Sequence, residues 1–372
     1  MLGASSQEFK ELASFNYVFT SIRGIQAGRE YFISMCPLRL IPKLFIFDEE
    51  EIPPDLRAQR VLNKARIPQL VSYITDNPKD YVFSSITASI DGRIEFRPIN
   101  ETEETKIGLL IVPMSARMII NDGQHRRAAI EEALKIMPEM GKETISVVFF
   151  VDNGLKRSQQ MFADLNKHAI RPTASLGILY DHKDPVSRLV LRMAQVVPLF
   201  KNRIELERTT ISNRSLKLFT LSNVYQATRT LLGKRGPRAK VTQDEEDLAA
   251  EFWNEVTKHI PEWQMLMDNK VSSGELRKQF VHAHGIILQA LGVTGHDLIT
   301  RYPANWKPKL QGLRKIDWSR SNAKVWEGRA MIGGRISKSP MNITLTANYL
   351  KQAVGLDLTP EEKKTERLRD RS

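Results

Sequence analysis

MIINDGQHRRAAIEEA, residues 118–133, is the stretch whose reading decides the fold. Apolar residues lead into Asn121-Asp122-Gly123, and an amphipathic helical pattern begins at once. Gly123 allows a tight turn that a residue with a Cβ resists. Asp122 is placed to cap the helix, whose N-terminus offers free N–H groups and a partial positive charge. Gln124, His125, Arg126 and Arg127 add side-chain donors around the same end. Backbone amides, dipole and cations together make a candidate seat for phosphate or another anion. The plainer alternative is that Asp122 only caps the helix and the arginines only solvate it.

Outward from this segment, strand and helix signals alternate. Ile67, Leu70, Val71 and Ile74 recur at helical spacing before the Asp76-Asn77-Pro78 stop. Tyr81 to Ile90 predicts a strand, with Asp91-Gly92 turning it as a hairpin into Arg93–Arg97. Ile107 to Val112 and Ala116 to Ile120 predict two more strands. Arg126 to Met137 and Leu155 to Leu165 predict helices, and the apolar run Ile145 to Val151 predicts a buried strand. After Asp184 the strand signals thin out. Helices are predicted along Leu218, Leu221, Val224, Tyr225 and Leu231 up to Gly233, after Asp244-Glu245-Glu246-Asp247, and from Glu275 to Leu291 with Gly292 behind it. The expected class is α/β, with a mostly helical C-terminal region. We expect a domain over 1–190, a basic helical region over 191–358, and a charged, flexible tail over 359–372 that frays or forms a loose charged helix.

The chain has 372 residues, 41% hydrophobic and 26% charged, as in an average globular protein. No window approaches the roughly 18 apolar residues of a membrane span, and the first thirty residues lack a signal pattern. The expected location is cytoplasmic, without a membrane partner. One cysteine, Cys36, excludes an internal disulfide and a multi-cysteine metal cage. It is expected to be a buried thiol. His282 and His284 would diverge by about 200° on a helix, so no metal is expected there.

Net charge is +12, and it is unevenly spread. From Lys201 to Lys240 ten basic residues stand against two acidic ones, and Arg301 to Pro340 repeats that balance. Such surfaces suit polyanions, with affinity that falls steeply as salt rises. The alternative is charge kept for solubility. Candidate DNA contacts are Lys234, Arg235, Arg238 and Lys240 in a Gly/Pro-containing loop. Arg314, Lys315, Arg320, Lys324, Arg329, Arg335 and Lys338 form a second set. They are interleaved with Trp318 and Trp326, which suit core anchors better than base-stacking platforms. Thr210 to Arg229 offers a weak helix-turn-helix pattern.

DGQHR at 122–126 is the name-giving signature of the DGQHR-domain proteins, and the surrounding text resembles the DndB family of bacterial DNA phosphorothioation systems. The resemblance includes YVFSSITASIDG at 81–92, INDGQHRRAAIEEAL at 120–134, QQMFADLNKHAIRPTASL at 159–176 and LYDHKDP at 179–185. It continues to VWEGRAMIGGRISKS at 325–339. It implies a ParB/sulfiredoxin-like core whose loop grips nucleotide phosphates, with Asp122, His125 and Arg126 as candidate catalytic residues. Asn121, Gly123, Gln124 and Arg127 would bind phosphate, joined by Asn166, His168 and Arg171 from a second element. The implied role is regulatory: binding of promoter duplex DNA and repression of the modification genes. The implied cofactor is a nucleoside triphosphate with Mg. The alternative is a nucleotide triphosphatase or nuclease assisting sulfur modification at the same loop. Other phosphorothioation proteins and a second copy of the chain are the further expected partners.

Overall fold

A computed structural model of the chain describes residues 15–45, 64–100, 106–151, 160–161, 164–165, 172–212, 214–236 and 238–369. The chain divides into two compact units, Met1–Ile170 and Arg171–Ser372. Among the described residues no helix is long and apolar enough to cross a membrane.

The first unit is built on a seven-stranded mixed sheet in the order β4-β5-β1-β2-β7-β3-β6. Its strands are β1 (Asn16–Gln26), β2 (Arg29–Pro37), β3 (Ile86–Asp91), β4 (Glu95–Pro98), β5 (Ile107–Pro113), β6 (Arg117–Asp122) and β7 (Thr144–Val151). Every pairing is antiparallel except β3 with β7. Period-2 alternation puts Phe32, Cys36, Val147, Phe149, Ala88 and Ile120 on one buried face. Helices α1 (Ile41–Leu44), α2 (Ile67–Thr75) and α3 (Gln124–Ile136) complete this unit, with α3 packed beside both α1 and α2. Ala129, Ile130 and Ala133 of α3 join the same core. Each fully buried phenyl ring there contributes about 1.5–3 kcal/mol.

The expected hairpin at Asp91-Gly92 does not form. Residues 81–85 lie outside the strand, and Glu95–Pro98 pairs with β5 instead of β3. Both neighbours of β3 are distant in sequence, β7 on one side and β6 on the other. A local turn signal cannot report that competition.

The second unit is helical. It contains α4 (Ala174–Tyr180), α5 (Pro185–Val196), α6 (Leu221–Leu231), α7 (Gln243–Lys258), α8 (Pro261–Met267), α9 (Ser273–Gln279) and α10 (Gly285–Arg301). Then follow α11 (Trp306–Lys309), α12 (Ala323–Trp326), α13 (Pro340–Ala353) and α14 (Pro360–Arg369). Two minimal strand pairs, β8 (Ile204–Glu205) with β9 (Phe219–Thr220) and β10 (Met331–Ile332) with β11 (Arg335–Ile336), complete it. The core runs along α10, which packs against α6 and α13. Ile178, Val186, Leu189 and Val190, placed before the expected boundary at 190, belong to this helical core. Helix α7 starts as its acids suggest, with a capping box between Thr242 and Glu245.

The helix expected over Glu275–Leu291 is two helices, broken at Phe280–His284. Gly292 does not stop the second one. A Cβ there would lie 2.4 Å from the Ala227 carbonyl oxygen, so Gly292 lets α6 and α10 touch backbone to backbone. The tail takes the charged helix that was one of its two expected forms, but it is anchored where a loose one was expected. Residues Pro360–Arg369 form a helix, held by ion pairs to the buried cations Arg329 and Lys351.

Candidate functional site

The DGQHR turn is set by β3 and β6. Their register shifts between Thr87 and Ala88, which pairs Thr87 with Asp122 and ends the ladder there. Gly123 then takes φ 115° and serves as the N-cap of α3. A Cβ on it would meet Ile86 Cγ1 at 3.0 Å and Arg126 Nη2 at 3.1 Å. No side chain caps the helix, so Asp122 does not play the expected part. Its Oδ2 accepts from Arg126 Nη2 at 2.7 Å, one helical turn on.

Most of the motif's side chains face inward. Asn121 is buried and its Oδ1 accepts from Ser89 Oγ at 3.0 Å. Gln124 Nε2 reaches back to the carbonyls of Ile120 (3.2 Å) and Asn121 (3.4 Å). Arg126 donates to Ser84 Oγ (2.6 Å) and the Ser85 carbonyl (3.1 Å) as well as to Asp122. Arg127 donates to the carbonyls of Phe45 (3.0 Å) and Pro42 (3.2 Å) and pairs with Glu131 at 2.6 Å. The two guanidinia therefore brace the turn against distant loops, where the sequence suggested that they point outward. What the turn still presents is backbone. The first intrahelical bond runs from Arg127 N to the Gly123 carbonyl at 2.9 Å, so the amides of Gln124, His125 and Arg126 precede the helical ladder. Beside them lie half-buried His125 and the partly exposed Asp122 carboxylate. Asn166, His168 and Arg171 lie outside the described residues.

The basic candidates of the second unit separate into two groups. Lys234 is tethered to both oxygens of Glu245 at 2.6 and 2.7 Å. Burial opposes charge on Glu245, but Lys234 and the Thr242 amide together hold its carboxyl below the usual carboxylate range. Arg314 donates to His259 Nδ1 and the Lys258 carbonyl. Arg320 donates to the carbonyls of Arg277 and Gly334, and Lys338 to Asn223 Oδ1. Arg329 is buried and bidentate to Glu366. Arg238 is half-buried at φ 52°. Arg235, Lys240, Lys315, Lys324 and Arg335 are exposed.

Trp318 and Trp326 are core residues, 1% and 0% exposed and stacked at 5.5 Å. They offer no face to a base. The helix-turn-helix suggestion fails as well: among the described residues, no helix precedes α6 between Glu205 and Leu221.

Cys36 is fully buried, and burial pushes its thiol up to about 12. His282 and His284 lie at the break between α9 and α10. Burial holds His282 below its ordinary value against the opposing pull of Glu262, and it pushes His284 down to about 4. The sequence reading missed Asn348, Lys351, Glu362 and Glu366. Lys351 in a helix and a charged tail carry no local sign that they will meet.

The fold and site define a basic, two-unit protein with an α/β DGQHR unit and a helical unit that displays cations. The chain belongs to the DndB family, described as DNA-sulfur modification-associated, whose model matches residues 19–357. Membership places it in DNA sulfur modification. It is also similar to the ribosomal RNA large subunit methyltransferase H of Listeria welshimeri, 22% identical over 134 residues, which are 36% of this chain and 80% of that protein. No solved structure matches the chain.

Proposed function

We propose that this chain is a DNA-binding regulatory protein of a bacterial phosphorothioation system, which represses the modification genes by holding their promoter duplex. The observation that carries this reading is the exposure of Arg235, Lys240, Lys315, Lys324 and Arg335 within the two basic stretches, in a chain whose family serves DNA sulfur modification. Phosphate contacts from such residues position a duplex and make affinity salt-dependent. The test is fluorescence anisotropy with promoter duplex across a salt series. Changing those five residues to Gln should flatten the log–log salt slope by about 0.9 for each phosphate that is no longer neutralised. A slope equal to that of the parent would refute the assignment.

A second reading concerns the first unit, as a variant of the ParB/sulfiredoxin-like architecture. Its support is the uncapped first turn of α3 behind Gly123, where amides can receive an oxyanion. A nucleoside triphosphate with Mg is the proposed ligand, and hydrolysis or DNA nicking the proposed chemistry. ATP, CTP and GTP with Mg, each with and without duplex, test binding and phosphate release. His125→Ala is the informative variant, because Arg126 also braces the turn. No binding and no turnover with any nucleotide would reduce the loop to a structural element.

A further inference from the structure

Helix α14 is polar apart from Pro360 and Leu368, the latter 55% exposed, and none of its residues is buried. What holds it is charge. Arg329, 7% exposed, donates through both terminal nitrogens to Glu366 at 2.8 and 2.6 Å. Asn348, 0% exposed, adds a bond to the same carboxylate at 3.0 Å. Lys351, 2% exposed, pairs with Glu362 and, at 2.5 Å, with Asp297. A guanidinium and an ammonium withdrawn this far from water each need an anion, since an unpaired buried charge is strongly unfavourable. The terminal helix supplies the carboxylate that faces Arg329, and it supplies Lys351 with a second carboxylate beside Asp297 of α10. Carboxylates in bidentate contact with Arg occupy the positions that phosphate oxygens take.

Neighbouring sequence points to the same ligand class. Lys324 and Arg335, both exposed, flank Arg329 along the chain. Arg369 of α14 also donates to the carbonyls of Lys324 and Glu327, which seats the tail against this segment.

We infer that Arg329, Asn348 and Lys351 form an anion seat for the DNA phosphate backbone, and that Glu362 and Glu366 of the C-terminal helix occupy it as an internal competitor. This rests on the DNA-binding reading above and adds its regulation. Duplex binding and tail docking become alternatives, so any event that lifts the tail raises DNA affinity.

Simple electrostatics predicts the opposite sign. Residues 359–372 carry five basic and four acidic side chains, so deleting them makes the protein less positive. The experiment compares the full chain, a chain ending at Leu358, and the E362Q/E366Q double variant. Anisotropy with promoter duplex is read from 50 to 200 mM salt, with thermal melts to establish folding. Two additional phosphate contacts should tighten binding about tenfold at low salt and steepen the log–log slope by about 1.8. Amide hydrogen exchange over 360–369 in the full chain should quicken when duplex is added. If the shortened chain does not fold, the double variant decides when set against D357N/E361Q, an equal charge change at two exposed carboxylates, which should tighten binding less. Equal or weaker binding by folded variants, when the full chain does bind, overturns the competitor and leaves the DNA-binding reading standing. Absence of duplex binding by all three proteins overturns both.

Discussion

Replacing Arg126 by Ala is expected to loosen the first unit by about 2–3 kcal/mol. The guanidinium donates to the partly buried Ser85 carbonyl, to exposed Ser84 and to Asp122. A charged donor to a shielded carbonyl is worth about 1.5–3 kcal/mol, whereas the two water-facing contacts add only about 0.5 kcal/mol together after solvent screening. The chain carries its own reporter for this unit. Cys36 is the only cysteine and is fully buried in the first unit's core, so a thiol reagent reaches it only through opening. When labelling follows the opening equilibrium, 2–3 kcal/mol corresponds to labelling faster by about 30- to 160-fold. The five tryptophans all lie in the second unit, so their emission follows the other core independently of the thiol signal. Labelling within about threefold of the parent would mean that Arg126 is not a brace, because surface substitutions cost about 0.5 kcal/mol or less. It would return Arg126 to the role of an outward-facing phosphate ligand.

Three further outcomes are expected. Gly123→Ala imposes φ 115° on a residue with a Cβ and crowds Ile86 and Arg126, so Cys36 labelling should quicken by at least about fivefold, from a cost near 1 kcal/mol or more. Gly292→Ala drives a methyl against the Ala227 carbonyl and should lower the second unit's stability by about 1–3 kcal/mol, seen as an earlier tryptophan-monitored urea midpoint. Stability of the second unit should also fall as pH drops below 6.5 towards 4. Over that range unfolded His284 takes a proton while the buried folded ring does not, and His282 shifts in the same direction. The loss from His284 alone is about 2 kcal/mol at pH 5. Identical urea midpoints at pH 7 and pH 5 would contradict that burial.

Local chemistry made much of this structure legible. The turn at Gly123, the helix after it, the buried strand at 144–151 and the acidic start of α7 each follow from period, caps and breakers within a few residues. The misreadings share a cause, namely a partner far along the chain. The partners of β3 lie in β6 and β7, so Asp91-Gly92 looked like a hairpin. Gly292 looked like a helix stop because its contact, Ala227, belongs to another helix. Arg126 looked available because Ser84 and Ser85 are some forty residues away. The tail looked loose because its composition shows charge and not the buried Lys351 and Arg329 that claim it.

The strand order carries a consequence for synthesis. β7 lies between β2 and β3, so it alone joins the β4-β5-β1-β2 portion of the sheet to the β3-β6 pair. On the ribosome, six strands emerge before it and can assemble only as two pieces with open edges. Such edges invite pairing with other chains. Until residue 151 has left the exit tunnel, the β3-β6 pair that leads into the DGQHR turn lacks its strand-to-strand link to the rest of the sheet, and a product truncated earlier would be prone to aggregate.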